Sequence, residues 1–225
     1  MNARIAAFSL ALLTPLALLG ASCSTQSTDP ASSQAEATGT SSMNHDTSEH
    51  MPYTVDVAAS KVKWNASKVT GKHFGHVTIK SGTIEMYEGT PMAATFVMDM
   101  TTITVEDMQE SNPMHAALFK HLRSDDFFSV ETHPTATFTA TGFTKLDGDN
   151  YKVDGDLEIK GITQPISFTA SITVDGTQAK ALGTIAVDRT NYDIKFRSGK
   201  FFSDLGDSLI HDEFTIDIDV VANAS

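Results

Sequence analysis

Lys152-Val153-Asp154-Gly155-Asp156-Leu157-Glu158-Ile159-Lys160, followed after a turn by Ile166-Ser167-Phe168-Thr169-Ala170-Ser171-Ile172-Thr173-Val174-Asp175, decides the fold. In the first run Val153, Gly155, Leu157 and Ile159 share one face, and lysines, aspartates and a glutamate occupy the other. In the second, Ile166, Phe168, Ala170, Ile172 and Val174 alternate with hydroxyl side chains and Asp175. Successive strand side chains point to opposite faces, so each run reads as an antiparallel strand with one face buried and one in water. Gly161 to Pro165 is expected to turn between them.

The same period of two recurs outward from this hairpin, at Val62-Trp64-Ala66, Phe96-Met98-Met100, Ala136-Phe138-Ala140, Ile185-Val187 and Phe214-Ile216-Ile218-Val220. Turn chemistry separates the runs at Glu88-Gly89, Asp147-Gly148-Asp149 and Asp175-Gly176. One segment carries helical signals: Asn112 as N-cap, Pro113 at the first helical position, then Met114, Leu118 and Leu122 spaced by four, ending near His121. A further short turn is expected from Ser124, with Asp125 and Asp126 beside its N-terminal dipole. About eight strands and one helix over residues 51–225 predict an all-β fold, a closed antiparallel eight-stranded barrel rather than a sandwich. Closure removes edge strands, and an eight-stranded barrel can hold one small ligand.

The whole chain has 225 residues, with 16 Lys and Arg against 28 Asp and Glu. A net charge of −12 repels phosphate backbones, so nucleic acid is excluded as a partner. Residues 1–22 carry Arg4 and then an apolar run from Ile5 to Leu19 broken by Ser9, Thr14 and Pro15. That is the pattern of an export signal, too short and too interrupted for a spanning helix. The single cysteine, Cys23, follows Leu18-Leu19-Gly20-Ala21-Ser22, which resembles a bacterial lipobox, with Gly20 where the usual large aliphatic residue stands. Two readings stay open: acylation of Cys23, giving an exported lipoprotein anchored to a membrane, and ordinary cleavage near Ala21. Residues 23–50 hold twelve Ser or Thr and no Leu, Ile, Val or aromatic residue, so they read as a disordered tether. Fifteen bases against 24 acids then leave residues 51–225 at −9, so the acidity belongs to the body.

Four stretches in order resemble the YceI-like family. They are His121-Leu122-Arg123-Ser124-Asp125-Asp126-Phe127-Phe128, His133 to Phe138, Val153 to Pro165, and Val187-Asp188-Arg189-Thr190-Asn191-Tyr192-Asp193-Ile194; the stretch Ser198 to Asp207, before Asp212-Glu213, is similar to a subgroup with a longer loop before the last strand. The resemblance implies an extended lipocalin-like barrel, exported to the bacterial periplasm, whose elongated apolar cavity binds a polyisoprenoid or related amphiphilic lipid without catalysis or cofactor. At Asp193, where many relatives have glycine, an aspartate can still adopt the left-handed conformation a turn needs.

A lipid site needs a continuous apolar lining and a few polar groups at its mouth. The lining candidates are Trp64, Phe74, Phe96, Met98, Met100, Phe138, Phe168, Ile172, Ile185, Phe214 and Ile216, each of which could equally pack the core. Met86, Met98 and Met100 suit an adaptable wall. Arg189, His121 and Arg123 are the candidates for an anionic head, against internal pairing of Arg189 with Asp188 or Asp193 and of Arg123 with Asp125 or Asp126. The alternative function is an exported stress protein binding a metal or another small ligand through His73, His76, His115, His121, His133 and His211. Their spacings do not favour shared ligation. No nucleophile elbow or phosphate loop marks a hydrolase, and Asp154, Asp156 and Glu158 read as solvated surface. The expected partners are the amphiphilic lipid and, through Cys23, a membrane; a homodimer stays open.

Overall fold

The computed structural model describes residues 50–225, which contain β1 (His50–Val55), β2 (Lys61–Lys68), β3 (Gly71–Tyr87), β4 (Thr90–Asp99), α1 (Pro113–Arg123), β5 (Thr135–Lys145), β6 (Asn150–Ile159), β7 (Ile162–Asp175), β8 (Gln178–Asp188) and β9 (Glu213–Ala224). The expected export signal, Cys23 and the tether up to residue 49 lie outside the described residues. His50, placed in the tether by composition, pairs with Tyr87 in β1.

These nine strands form one antiparallel sheet in the order β1-β3-β2-β9-β8-β7-β6-β5-β4, and the pairing of β3 with β4 closes it. The barrel has eight staves, because β1 and β2 occupy one between them. The first half of β3 pairs with β2 and its second half with β1 (Val62↔Val77, Thr54↔Thr83), and β9 likewise continues from β2 to β1 (Lys61↔Asp219, Val55↔Ala222). At about 3.3 Å per residue the 17 residues of β3 extend roughly 55 Å, so the barrel is elongated.

Most expected strands and turns hold, and their departures have local causes. The turn between β6 and β7 is only Lys160-Gly161, both at positive φ, so Thr163, Gln164 and Pro165 lie in β7. Val174, expected inward, is exposed because β7 runs past the barrel wall into its hairpin. Helix α1 starts as predicted, with the Asn112 side chain accepting from the Met114 N–H, and runs on to Arg123, where Ser124 closes it by donating its N–H to His121 O. Met114 stays exposed while Leu122 is buried and Leu118 and Phe119 are half-buried against the core, so the C-terminal half of the helix packs on the barrel. From Ser124 the chain makes non-helical turns, with Phe127 and Ser129 N–H groups donating to Ser124 O. Asp193 adopts the left-handed conformation (φ 59°, ψ 24°) at the end of a short 3-10 turn.

Two register shifts explain where strand alternation fails as a guide. Gly75, Val77 and Ile79 face inward on β3, but after the shift between Ile79 and Ser81 the inward set becomes Gly82, Ile84 and Met86. In β5, Ala136, Phe138 and Ala140 face inward, and the shift between Ala140 and Gly142 transfers the inward position to Phe143. A bulge inserts one residue, which exchanges the two faces beyond it.

Candidate functional site

Inward side chains from β2 to β9 surround a lumen of which all 27 lining residues are apolar. It offers about 130 Å³ of room for the centre of a water-sized sphere, roughly ten times what one buried water requires. That is a slender slot rather than a broad chamber. Inward Phe96, Met98, Phe168 and Ile216 are only half-buried although they sit on the core face of central staves. In a close-packed interior such positions would be fully covered, so their exposure is to the lumen.

The walls are built from specific accommodations. Phe96 and Phe138 face each other across β4 and β5, ring centroids 6.4 Å apart, and Phe138 meets Phe168 at 5.7 Å. Phe138 reaches Phe168 by lying across β6 at Gly155, where an added Cβ would stand 2.5 Å from the Phe138 ring and 2.7 Å from Thr139 O. Glycine is thus required there by the ring above it. One end is capped by the chain between β4 and β5, which adds Ile103 and Phe128 to the lining. Its Thr104 and Glu106 N–H groups donate to His76 O and Phe74 O along the edge of β3. Trp64, whose indole would otherwise bury an unsatisfied donor, gives its Nε1–H to Thr104 O at 3.1 Å.

Ten of the eleven apolar candidates line this lumen: Trp64, Phe96, Met98, Met100, Phe138, Phe168, Ile172, Ile185, Phe214 and Ile216. Phe74 does not. It belongs to the outward face of β3, next to inward Gly75, and the Lys63 ammonium sits 4.4 Å from its ring centre. Strand alternation already separates Phe74 from Val77 and Ile79; its aromatic character alone had suggested the lining. Residues that sequence reasoning missed include Phe143, hidden by the β5 bulge, and Ile103 and Phe128, which reach the lumen from irregular chain.

The polar candidates are engaged elsewhere. Arg189 is buried and uses all five guanidinium N–H groups within the chain. Nε donates to His211 O (3.1 Å), Nη1 to Ile194 O (2.8 Å) and Phe196 O (3.0 Å), and Nη2 to Ile210 O (3.0 Å) and Asp212 Oδ1 (3.3 Å). Burial lowers its pKa while Asp212 and Asp188 oppose that shift. It staples the end of β8 to the long segment before β9, and its ion-pair partner is Asp212 rather than Asp188 or Asp193. His121 lies edge-on to Phe127 and Phe196, at centroid distances of 4.8 and 4.3 Å, with Nε2 3.0 Å from Asp126 Oδ2. Arg123 donates to Thr101 O at 2.7 Å. None of the three is in the lumen wall.

Four of the histidines proposed for metal binding make separate contacts. His73 Nδ1 and His76 Nδ1 each lie 2.8 Å from their own acid, Asp107 and Glu106, and His115 Nε2 is 3.0 Å from Val105 O. His121 has its pair with Asp126. Both Glu106 and Asp107 have lowered pKa values: burial raises them, but the histidine contacts and further hydrogen bonds from Thr104 or the Phe74 N–H outweigh it. Among the described residues, no three His, Cys, Asp or Glu side chains gather as a group able to hold a metal ion. No described helix is long and apolar enough to cross a membrane.

Comparison with known proteins places this lumen in context. The family model described as YceI-like domain matches residues 53–222. A UPF0312 protein from Pectobacterium atrosepticum is 35% identical over 103 residues, 46% of this chain and 50% of that protein. Protein YceI from Escherichia coli is 36% identical over 95 residues, 42% of this chain and 46% of the relative. The alignment thus spans about half the length of these curated relatives. Among solved structures, a polyisoprenoid binding domain from Saccharophagus degradans implicated in plant cell wall breakdown superposes with a TM-score of 0.58 at 16% identity, covering 77% of this chain and 98% of that one. Burkholderia cenocepacia BcnA gives 0.55 at 20% identity, covering 75% and 99%. At these identities the superpositions establish the shared fold.

Proposed function

The chain belongs to the family of YceI-like domains, and from that premise we propose that it binds the hydrocarbon chain of an amphiphilic, isoprenoid-like lipid in its lumen, without catalysing a reaction on it. One observation carries this reading: an elongated slot through the barrel whose 27 lining residues include no polar side chain. Such a wall offers nothing to a polar or charged guest, which would lose its water without new hydrogen bonds. It favours a slender apolar chain, each buried methylene contributing about 0.8 kcal/mol before ordering costs. The name of the Saccharophagus structural neighbour is consistent with a polyisoprenoid as the guest.

The same proposal includes export through residues 1–22 to the periplasm and anchoring through acylated Cys23, with the barrel carrying or sequestering lipid near the membrane. Two or more acyl chains suffice for stable anchoring. Solvent extraction of protein purified from its native host, followed by mass spectrometry, tests the lumen assignment. A co-purifying prenyl or long-chain lipid is expected. Repeated preparations without lipid but with a stoichiometric metal would replace it with the histidine-based alternative. Cys23→Ser is expected to move the protein from the membrane fraction to the soluble one, and unchanged membrane association would remove the anchor.

A further inference from the structure

An amphiphile in a wholly apolar lumen must place its polar head elsewhere, and the barrel wall has one unusual point. Where β1 gives way to β2, the turn from Asp56 to Ser60 hydrogen-bonds to β9: Asp56 N–H and Ser60 Oγ donate to Val221 O, and Val221 N–H donates to Ser60 Oγ. On the other side, β3 pairs with β2 only as far as Val77 and with β1 only from Thr83, so Thr78–Gly82 have no ladder partner there among the described residues. Lys80 is the inserted residue of the β3 bulge.

Outside this gap lies a cleft of about 310 Å³ whose lining includes Val55, Lys80, Ser81, Gly82, Thr83 and Thr95. Its floor is thin. A Cβ added at Gly82 would stand 2.7 Å from Cγ2 of Val55, a buried residue of β1, and 2.8 Å from Cδ1 of Phe96, which lines the lumen; Val55 and Gly82 also border the cleft. Gly82 faces inward, so Val55 and Phe96 converge on the inner face of the wall over a residue that has no side chain, with the cleft on the other side of the wall at this point. Lys80 is exposed, and its charge is among the causes, after the Thr101 hydrogen bond, that lower the pKa of Asp99. Ser81, Thr83 and Thr95 supply hydroxyl donors beside it.

We infer that the head of the lumen-bound amphiphile emerges through the wall beside Gly82 and is held in the outer cleft by Lys80 and the neighbouring hydroxyls, so that the preferred head is anionic, a phosphate or a carboxylate. The inference rests on the lumen reading given above. Passage requires Phe96 to turn into the slot and Val55 to move with the end of β1. An ammonium with hydroxyl donors suits tetrahedral or planar anionic oxygens, whereas an uncharged alcohol gains little from the lysine.

The test compares dodecyl phosphate with dodecanol, measured by calorimetry on the full chain and on Lys80→Ala, a surface change that leaves the fold intact. The wild-type chain is expected to bind both. Lys80→Ala is expected to weaken dodecyl phosphate about three- to tenfold and leave dodecanol unchanged. An equal effect on both probes, or none on the phosphate, overturns the cleft assignment and leaves the lumen reading standing; wild type binding neither probe overturns both. Inorganic phosphate is expected not to displace dodecyl phosphate, and displacement by it would make the cleft a free-phosphate site unconnected to the lumen. A photoactivatable group beside the phosphate is expected to label residues 54–57 and 80–83. Labelling confined to residues 100–133 or 189–212 would place the head at the capped end and refute the side exit.

Discussion

Replacing Arg189 with alanine separates its structural role from head-group capture. The substitution removes five donors from a site whose side chain is almost fully covered, leaving the carbonyls of Ile194, Phe196, Ile210 and His211 without those partners and Asp212 facing Lys200 alone, at 3.8 Å. A buried acceptor without its partner costs about 1 to 3 kcal/mol, partly recovered as the 194–212 segment relaxes toward water. A total loss of about 3 to 5 kcal/mol follows, in the range seen when one side of a buried charged network is removed. For a body of this size that corresponds to a fall in Tm of roughly 10 °C. The assay is equilibrium unfolding in urea, followed by fluorescence of Trp64, the only tryptophan, and by far-ultraviolet circular dichroism. Arg189→Lys keeps the charge but loses the planar fork, so it should fall between alanine and wild type. A loss under about 1 kcal/mol would refute the staple. So would normal stability with abolished lipid binding, the signature expected of a head-group ligand.

Three further outcomes follow from the geometry. Gly155→Ala drives a Cβ into the Phe138 ring and Thr139 O, so it should destabilise by about 1 to 3 kcal/mol and reduce lipid loading as the ring is pushed lumenward; normal unfolding and loading would contradict that packing. Tyr192 is buried and its hydroxyl has no hydrogen-bond partner among the described residues, and burial pushes its pKa up to about 12; Tyr192→Phe should therefore be neutral or stabilising by up to about 1 kcal/mol, and a clear loss in Tm would reveal a partner for that hydroxyl. Acid should weaken the fold through Glu106, Asp107 and Asp188, whose pKa values are lowered in the folded state, Asp188 by Lys200 and Thr190 against the opposing effect of burial. Lowered folded values mean that this stability is present above the ordinary carboxylate range and is lost as pH falls through and below it, so a urea midpoint steady from pH 7 to about 5 and dropping below about 4 is expected. A midpoint that rises on acidification would reverse the sign.

Alternation made the barrel legible. Residues 152–175 alternate cleanly because their hairpin carries no bulge, and ten lining residues could be read directly from this and the other alternating runs. The information that alternation lacks is where a bulge exchanges the faces. Lys80–Ser81 and Thr141 are ordinary strand residues by composition, yet everything beyond them changes side, which hid Phe143 and Ile84 from the lining. Phe74 shows the opposite error, an aromatic residue taken for a wall although its parity sets it outside. Arg189 and His121 were chosen for their chemistry, and side-chain type does not disclose that carbonyls 5 to 22 residues away, or two phenylalanine rings, already surround them. The shared stave of β1 and β2 was also invisible, because it depends on two separate segments meeting the same two neighbours.

The central claim is that a lipid chain threads the lumen, and Ala170 gives the most direct access to it. This small, buried residue lines the slot on β7, so Ala170→Trp fills the space from within. Wild type and variant, expressed in the native host and compared by native mass spectrometry and solvent extraction, with circular dichroism to confirm an intact barrel, should differ in one respect: lipid accompanies the wild type and is absent from the folded variant. Equal lipid loading of both folded proteins would contradict the account.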